Sequence, residues 1–207
     1  MAVLSKREIE ARLNHPISDA RSLVITPMIN RKEAFDSDSV DLRLGCYFLL
    51  PRTPASPFLY PGSDPSEHSN ARVHIPIGKY LVVPSHQTVL GATLEFVKLP
   101  YDISGQILTK SSVARTFMVI ETAPWIHSNY RGCLTLEIAN VSNTPLLLYP
   151  GLPIGQLILL QVLGATEPEK LTGTYFGPTY PEAPPVKNLK RELAVFGIGD
   201  PKVPGTN

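Results

Sequence analysis

The 207-residue chain predicts a mainly β fold, a sandwich, barrel or jelly roll preceded by one helix, on three observations. Strand-like runs recur at about ten-residue spacing with turn residues between them. Proline supplies 21 of the 207 residues, roughly twice the usual share of about 5%, and it interrupts both helices and central strands. Helical periodicity nearly vanishes after the first dozen residues.

The opening does read as a helix. Ser5 followed by Glu8 is a capping-box pattern, and Ile9 and Leu13 fall on one helical face. Next, "SVDLRLGCYFLL" (39–50) alternates, with Val40, Leu42 and Leu44 on one side and Asp41 and Arg43 on the other. Residues 51–72, rich in proline and serine, predict a long surface loop. Further strands are expected in 80–100, 103–110, 116–122, 133–140, 145–151 and 154–163. In "RGCLTLEIAN" (131–140), Leu134, Leu136 and Ile138 share one face. Cys133, Thr135, Glu137 and Ala139 share the other, so a carboxylate stands among small groups. If that face meets water, Glu137 is an ordinary surface residue; if it meets a pocket, Glu137 is a candidate acid or base. From about residue 164 the pattern weakens into an arm or tail, with "NLKRELAVFG" (188–197) as a short helix candidate. The expected organisation is a β domain over 1–165 and a C-terminal arm over 166–207.

Composition narrows the function classes. Hydrophobic residues make up 43% and charged residues 18%, a globular balance. A formal charge of +1 gives no reason to expect a nucleic-acid or membrane-surface binder, so any anion recognition must be local. Cys46 and Cys133 form no CxxC pair, which suggests buried thiols in a reduced, cytoplasmic setting. The charged N-terminus is unlike a signal peptide, and no apolar run approaches a membrane span. His15, His68, His74, His86 and His127 do not pair at metal-ligand spacing. The zinc-deaminase pattern, the GxSxG elbow, the Walker loop and GxGxxG are all absent.

One stretch concentrates polar chemistry: "TKSSVARTF" (109–117). A helical turn starting at Ser111 would converge free amides and two hydroxyls on one point, with Lys110 and Arg115 supplying charge. The alternative is a serine N-cap with solvated basic neighbours, and spacing leaves both open.

Taken together, "VLSKREIEARL", "SVDLRLG", "LGATLEFVKLP", "KSSVAR", "TAPWI…NYRGCLTLEIAN" and "YPGLPIGQL" resemble, in order and spacing, the dCTP deaminase branch of the dUTPase-like superfamily. The likeness covers roughly residues 3–165. It implies a distorted jelly roll, a dUTPase-like β-clip barrel with few short helices, assembled as a homotrimer with active sites between subunits. It also implies hydrolytic deamination of dCTP to dUTP and ammonia without a protein-bound metal. Glu137 would then be the general acid/base, with Ser111 and Arg115 orienting water and holding charge. Lys110 and Ser112 would contact the triphosphate, whose Mg²⁺ travels with the nucleotide. The remaining nucleotide contacts implied are Ala123, Trp125, Ile126, His127, Thr135 and Gln156, with Lys170 and Tyr175 from an arm closing over the site. A dUTPase or bifunctional dUMP-forming enzyme, or a non-catalytic nucleotide-binding trimer, are the rival readings.

The chain also departs from that pattern. His127 stands where the family has an aspartate on the sugar hydroxyl; it can hydrogen-bond but cannot supply the same charge. Thr116-Phe117 follows Arg115 where Leu-Gly is common, and "EKLTGTYFGPT" (169–179) lacks the arm motif's glutamine. Asp41 and Arg43 suggest a structural ion pair or interface contact, while Trp125 and Tyr130 could stack on a base or pack at an interface.

Overall fold

The computed structural model describes residues 2–35, 38–52, 70–121, 124–167, 177–182 and 195. Its elements are β1 (Ala2–Val3), α1 (Lys6–Leu13), β2 (Val24–Thr26), α2 (Arg31–Ala34), β3 (Ser39–Pro51), β4 (Asn70–His74) and β5 (Leu81–Val83). They continue with β6 (Thr88–Lys98), β7 (Ile103–Thr109), α3 (Ser111–Ala114), β8 (Met118–Ile120), β9 (Trp125–Ile126), β10 (Arg131–Asn140), β11 (Leu146–Leu148) and β12 (Pro153–Gln161). The mainly β expectation therefore holds.

A single antiparallel path runs β8-β10-β6-β3-β12-β7-β9, with β1 added to β12, β2 to β6 and β4 to β3; β5 and β11, distant in the chain, form a separate two-stranded antiparallel sheet. The long strand β3 links the two halves of this curled sheet. It pairs β6 along one stretch and β12 along another, with a register shift between Leu44 and Phe48 that lets the strand bend. One face of every long strand enters a common core that includes Val40, Leu42 and Leu44, Val97, Ile103 and Ile107, Leu134, Leu136 and Ile138, and Leu157 and Leu159. The period-two reading of β3 and β10 matches this face.

The first helix closes one end. Ser5 caps it by accepting the Glu8 amide at 3.4 Å, Ile9 is fully buried, and Arg12 donates two hydrogen bonds to Asp102 at 3.1 and 2.7 Å. Pro51 ends β3 and residues 70–72 begin β4, so the expected loop over 51–72 is shorter at both ends; 53–69 lie outside the described residues. The helix expected over 188–197 also lies outside them, save Val195. Among the described residues no helix is long and apolar enough to cross a membrane. Cys133 is buried and Cys46 half-buried, both as free thiols.

Candidate active site

Strand β10 runs between β6 and β8, with Glu137 opposite Leu90 of β6. Its side chain points away from the core and is half-buried. Oε2 is buried with no hydrogen-bond partner. Burial pushes the carboxyl above the ordinary glutamate value; its own amide pulls partly back, and the nearby Glu121 carboxylate pushes upward again. Glu121 is held close by its amide, which donates to the Glu137 carbonyl at 2.8 Å. A carboxylate in this environment is better at holding a proton near neutral pH than a solvated one.

The edge of β10 that β8 leaves open is taken further along by the C-terminal segment 177–182. The Gly177 amide donates to the Arg131 carbonyl and the Cys133 amide to the Pro178 carbonyl, both at 2.7 Å. The Glu182 amide donates to Thr135 Oγ1 at 3.1 Å, and Tyr180 meets Tyr47 edge-on at 4.6 Å between ring centres. Gly132, at φ +146°, allows this approach, since a Cβ there would stand 2.4 Å from Pro178 Cδ. The segment 177–182 thus meets β10 at Arg131, Gly132, Cys133 and Thr135. Nothing local in the sequence signals this packing; Gly132 is its only trace.

The turn after β7 is helical, as expected. Its N-cap is Lys110 and not a serine, and no side chain caps it, which removes the serine-cap alternative. Ser111 and Ser112 open α3, so their amides have no partner within the helix. Both serines and Arg115 are exposed. Lys110 is pinned from three sides. Its amide donates to the Ile154 carbonyl at 2.8 Å, its carbonyl accepts from Val113 and Ala114, and its ammonium is paired with Asp41. Phe117 follows at φ +61° and is 62% exposed; this left-handed backbone is one that glycine adopts without strain and phenylalanine does not.

Asp41 and Arg43 therefore do not pair with each other. Asp41 takes Lys110, while Arg43 donates its backbone amide and guanidinium to buried Glu95 at 2.8 and 3.4 Å. Burial raises the Glu95 carboxyl, and the bonds from Arg43 oppose that shift. Sequence spacing could not show either partner, because both are distant in sequence, Lys110 at the N-cap of α3 and Glu95 in β6.

The other named residues divide by face. In one row across three strands, Asp41 stands opposite Gln156 and Gln156 opposite Leu108. One row on, Ile158 stands opposite Gln106 and Gln106 opposite Trp125. Directly opposed residues share a face, so Gln156 and the 41%-exposed Trp125 look the same way as Lys110's partner Asp41. Ile126 sends its side chain into the core, leaving only its backbone for any ligand. His127 is exposed. Tyr130 packs against the core and donates its hydroxyl to the Cys133 carbonyl at 2.8 Å, and burial raises its phenol well above the usual value. Within this chain the ring therefore packs and its hydroxyl is engaged. Ala123, Lys170 and Tyr175 lie outside the described residues. Among the described residues Glu137 makes no side-chain hydrogen bond with Ser111, Ser112 or Arg115, and no three His, Cys, Asp or Glu side chains cluster as metal ligands.

Comparison with known proteins places this geometry in context. A family model described as dCTP deaminase-like matches residues 3–162. A protein of Dictyoglomus turgidum named "dCTP deaminase, dUMP-forming" is 31% identical over 166 residues, 80% of this chain and 83% of that protein. One of the same name from Methanosphaera stadtmanae is 31% identical over 205 residues, 96% of this chain and 100% of its own. The solved structure of the 2′-deoxycytidine 5′-triphosphate deaminase from Agrobacterium tumefaciens shares the fold with a TM-score of 0.57 at 22% identity; the match covers 76% of this chain and 47% of that one.

Proposed function

The chain belongs to the dCTP deaminase-like family, and from that premise we propose that it deaminates dCTP hydrolytically, with Glu137 as general acid/base. The observation that carries this reading is the half-buried Glu137 carboxyl, raised by desolvation and with one oxygen unpartnered. Water adds to C4 of cytosine while its proton passes to the Glu137 carboxylate and on to N3. The tetrahedral adduct then collapses: the C4–N4 bond breaks, the amine leaves as ammonia with a proton returned through Glu137, and a uracil carbonyl remains. Glu137 is thus unchanged at the end, and dCTP plus water has become dUTP plus ammonia.

Ser111 and Arg115 orient the water and hold the charge of the adduct. Lys110 and Ser112 bind the triphosphate, which brings its own Mg²⁺ as part of the substrate. Backbone groups around Ala123, Trp125 and Ile126 read the base edge, while His127, Thr135 and Gln156 contact the nucleotide. The arm, 166–207, brings Lys170 and Tyr175 over it, and the setting is cytoplasmic. In this reading Glu137 meets Ser111 and Arg115 across the subunits of a homotrimer.

The test follows ammonia, pyrophosphate and the nucleotide products together, with magnesium dCTP as substrate. Ammonia is expected from the wild type, with a loss of about 10²–10⁴ in kcat for Glu137→Gln. No turnover of any cytosine nucleotide, or full activity in that variant, overturns the proposal. A second reading is favoured by the names of the relatives: dUTP is hydrolysed further, at the α-β phosphate linkage, to dUMP and pyrophosphate. Pyrophosphate equimolar with ammonia selects it, and ammonia alone rejects it.

A further inference from the structure

We infer that Asp41 is a positioning residue that pre-orients the Lys110 ammonium for a polyphosphate chain; the inference rests on the proposed nucleotide site. Asp41 is the third residue of β3, only 8% exposed, between the core residues Val40 and Leu42. A carboxylate so placed is costly unless paired, and a buried pair is weak grounds for stability by itself. Its pairing is also unequal. Oδ2 meets Lys110 Nζ, while Oδ1 is buried without any partner beside Gln156, its register neighbour on β12. A pair serving only to hold strands together would be expected to use both oxygens.

Lys110 has the complementary form. Its backbone is pinned at both ends, to Ile154 and to the first turn of α3, yet its side chain keeps 26% exposure against 10% for that of Asp41. An ammonium has three donors in all; Asp41 engages one, leaving others for a ligand's oxygens. A free lysine loses rotamer freedom when it captures an anion. Here Asp41 has already imposed that order, so less is lost on binding.

The experiment uses the full chain and two probes. Calorimetry with magnesium tripolyphosphate reads the subsite without any chemistry on a base, and steady-state kinetics with dCTP reads it in turnover. Asp41→Asn should weaken tripolyphosphate about tenfold and raise the KM for dCTP by a similar factor, with kcat changed less than about threefold. Binding of dCMP should be unaffected, which a merely structural role would not predict. In a Lys110→Met background the Asp41→Asn change should have no further effect on tripolyphosphate. Wild-type tripolyphosphate affinity in Asp41→Asn, additive losses in the double variant, or equal weakening of mono- and triphosphate overturns the inference. Should Asp41→Asn fail to fold by circular dichroism, Lys110→Met with and without Asp41→Asn carries the comparison: equal affinities support it and a further loss overturns it. A wild type that binds tripolyphosphate through this pair but releases no ammonia sinks the proposed reaction and leaves the positioning role standing.

Discussion

Glu137 combines a poor place for a charge with a good place for a proton. Its carboxyl is raised above the unfolded value chiefly by burial, so the folded chain binds more protons than the unfolded one between those two values. Stability is therefore present in acid and falls as pH rises through that window. Glu137→Gln removes this dependence: the variant should match the wild type in thermal unfolding at about pH 4 and exceed it at about pH 7. A wild type that keeps its full relative stability at neutral pH would show that the carboxyl is not desolvated in solution. The position of Glu137 on the non-core face was legible from alternation alone. Its half-burial was not, because that depends on where the sheet sets β10, between β6 and β8 with Glu121 close by, which alternation within one strand does not encode.

At the scale of elements, β10 shows how a strand read correctly in sequence acquires a second function in three dimensions. Its core face follows from Leu134, Leu136 and Ile138, yet its outer edge serves as the dock for residues 177–182. Gly132→Ala puts a methyl group into Pro178 and strains a positive φ, at a cost of about 1–3 kcal/mol to the docked segment. The expected outcome is faster hydrogen exchange at the Cys133 and Gly177 amides, about tenfold or more, with the β3–β6 ladder unchanged. Unchanged exchange at Cys133 would mean that the segment does not rest there in solution. The α3 turn is the contrasting case. Its helical start was visible in "KSSVAR", while the cap at Lys110 and the left-handed Phe117 depend on how β7 hands the chain to β12 and β8.

At the scale of the molecule, the proposed chemistry needs Glu137 and the Ser111–Arg115 turn in one site, and a homotrimer is the proposed means. Light scattering should give three times the chain mass, and mixing Glu137→Gln with Arg115→Ala subunits should restore part of the activity lost in each; monomers, or no restoration, would remove the shared site. What the sequence determined by itself was the class of fold, the core faces of β3 and β10, the helical start at Ser5 and the helical turn at Ser111. These rest on side-chain alternation, proline placement and capping, which act over a few residues. What only the tertiary structure decided was the partnership of polar groups: Asp41 with Lys110, Arg43 with Glu95, and Thr135 with the Glu182 amide. The even spacing of Asp41 and Arg43 suggested a pair, and register sets both beside β12, yet the carboxylate takes Lys110 at the start of α3 while Arg43 bonds the Glu95 side chain of β6. Burial makes such partners obligatory, and sheet topology, which no short stretch encodes, selects them.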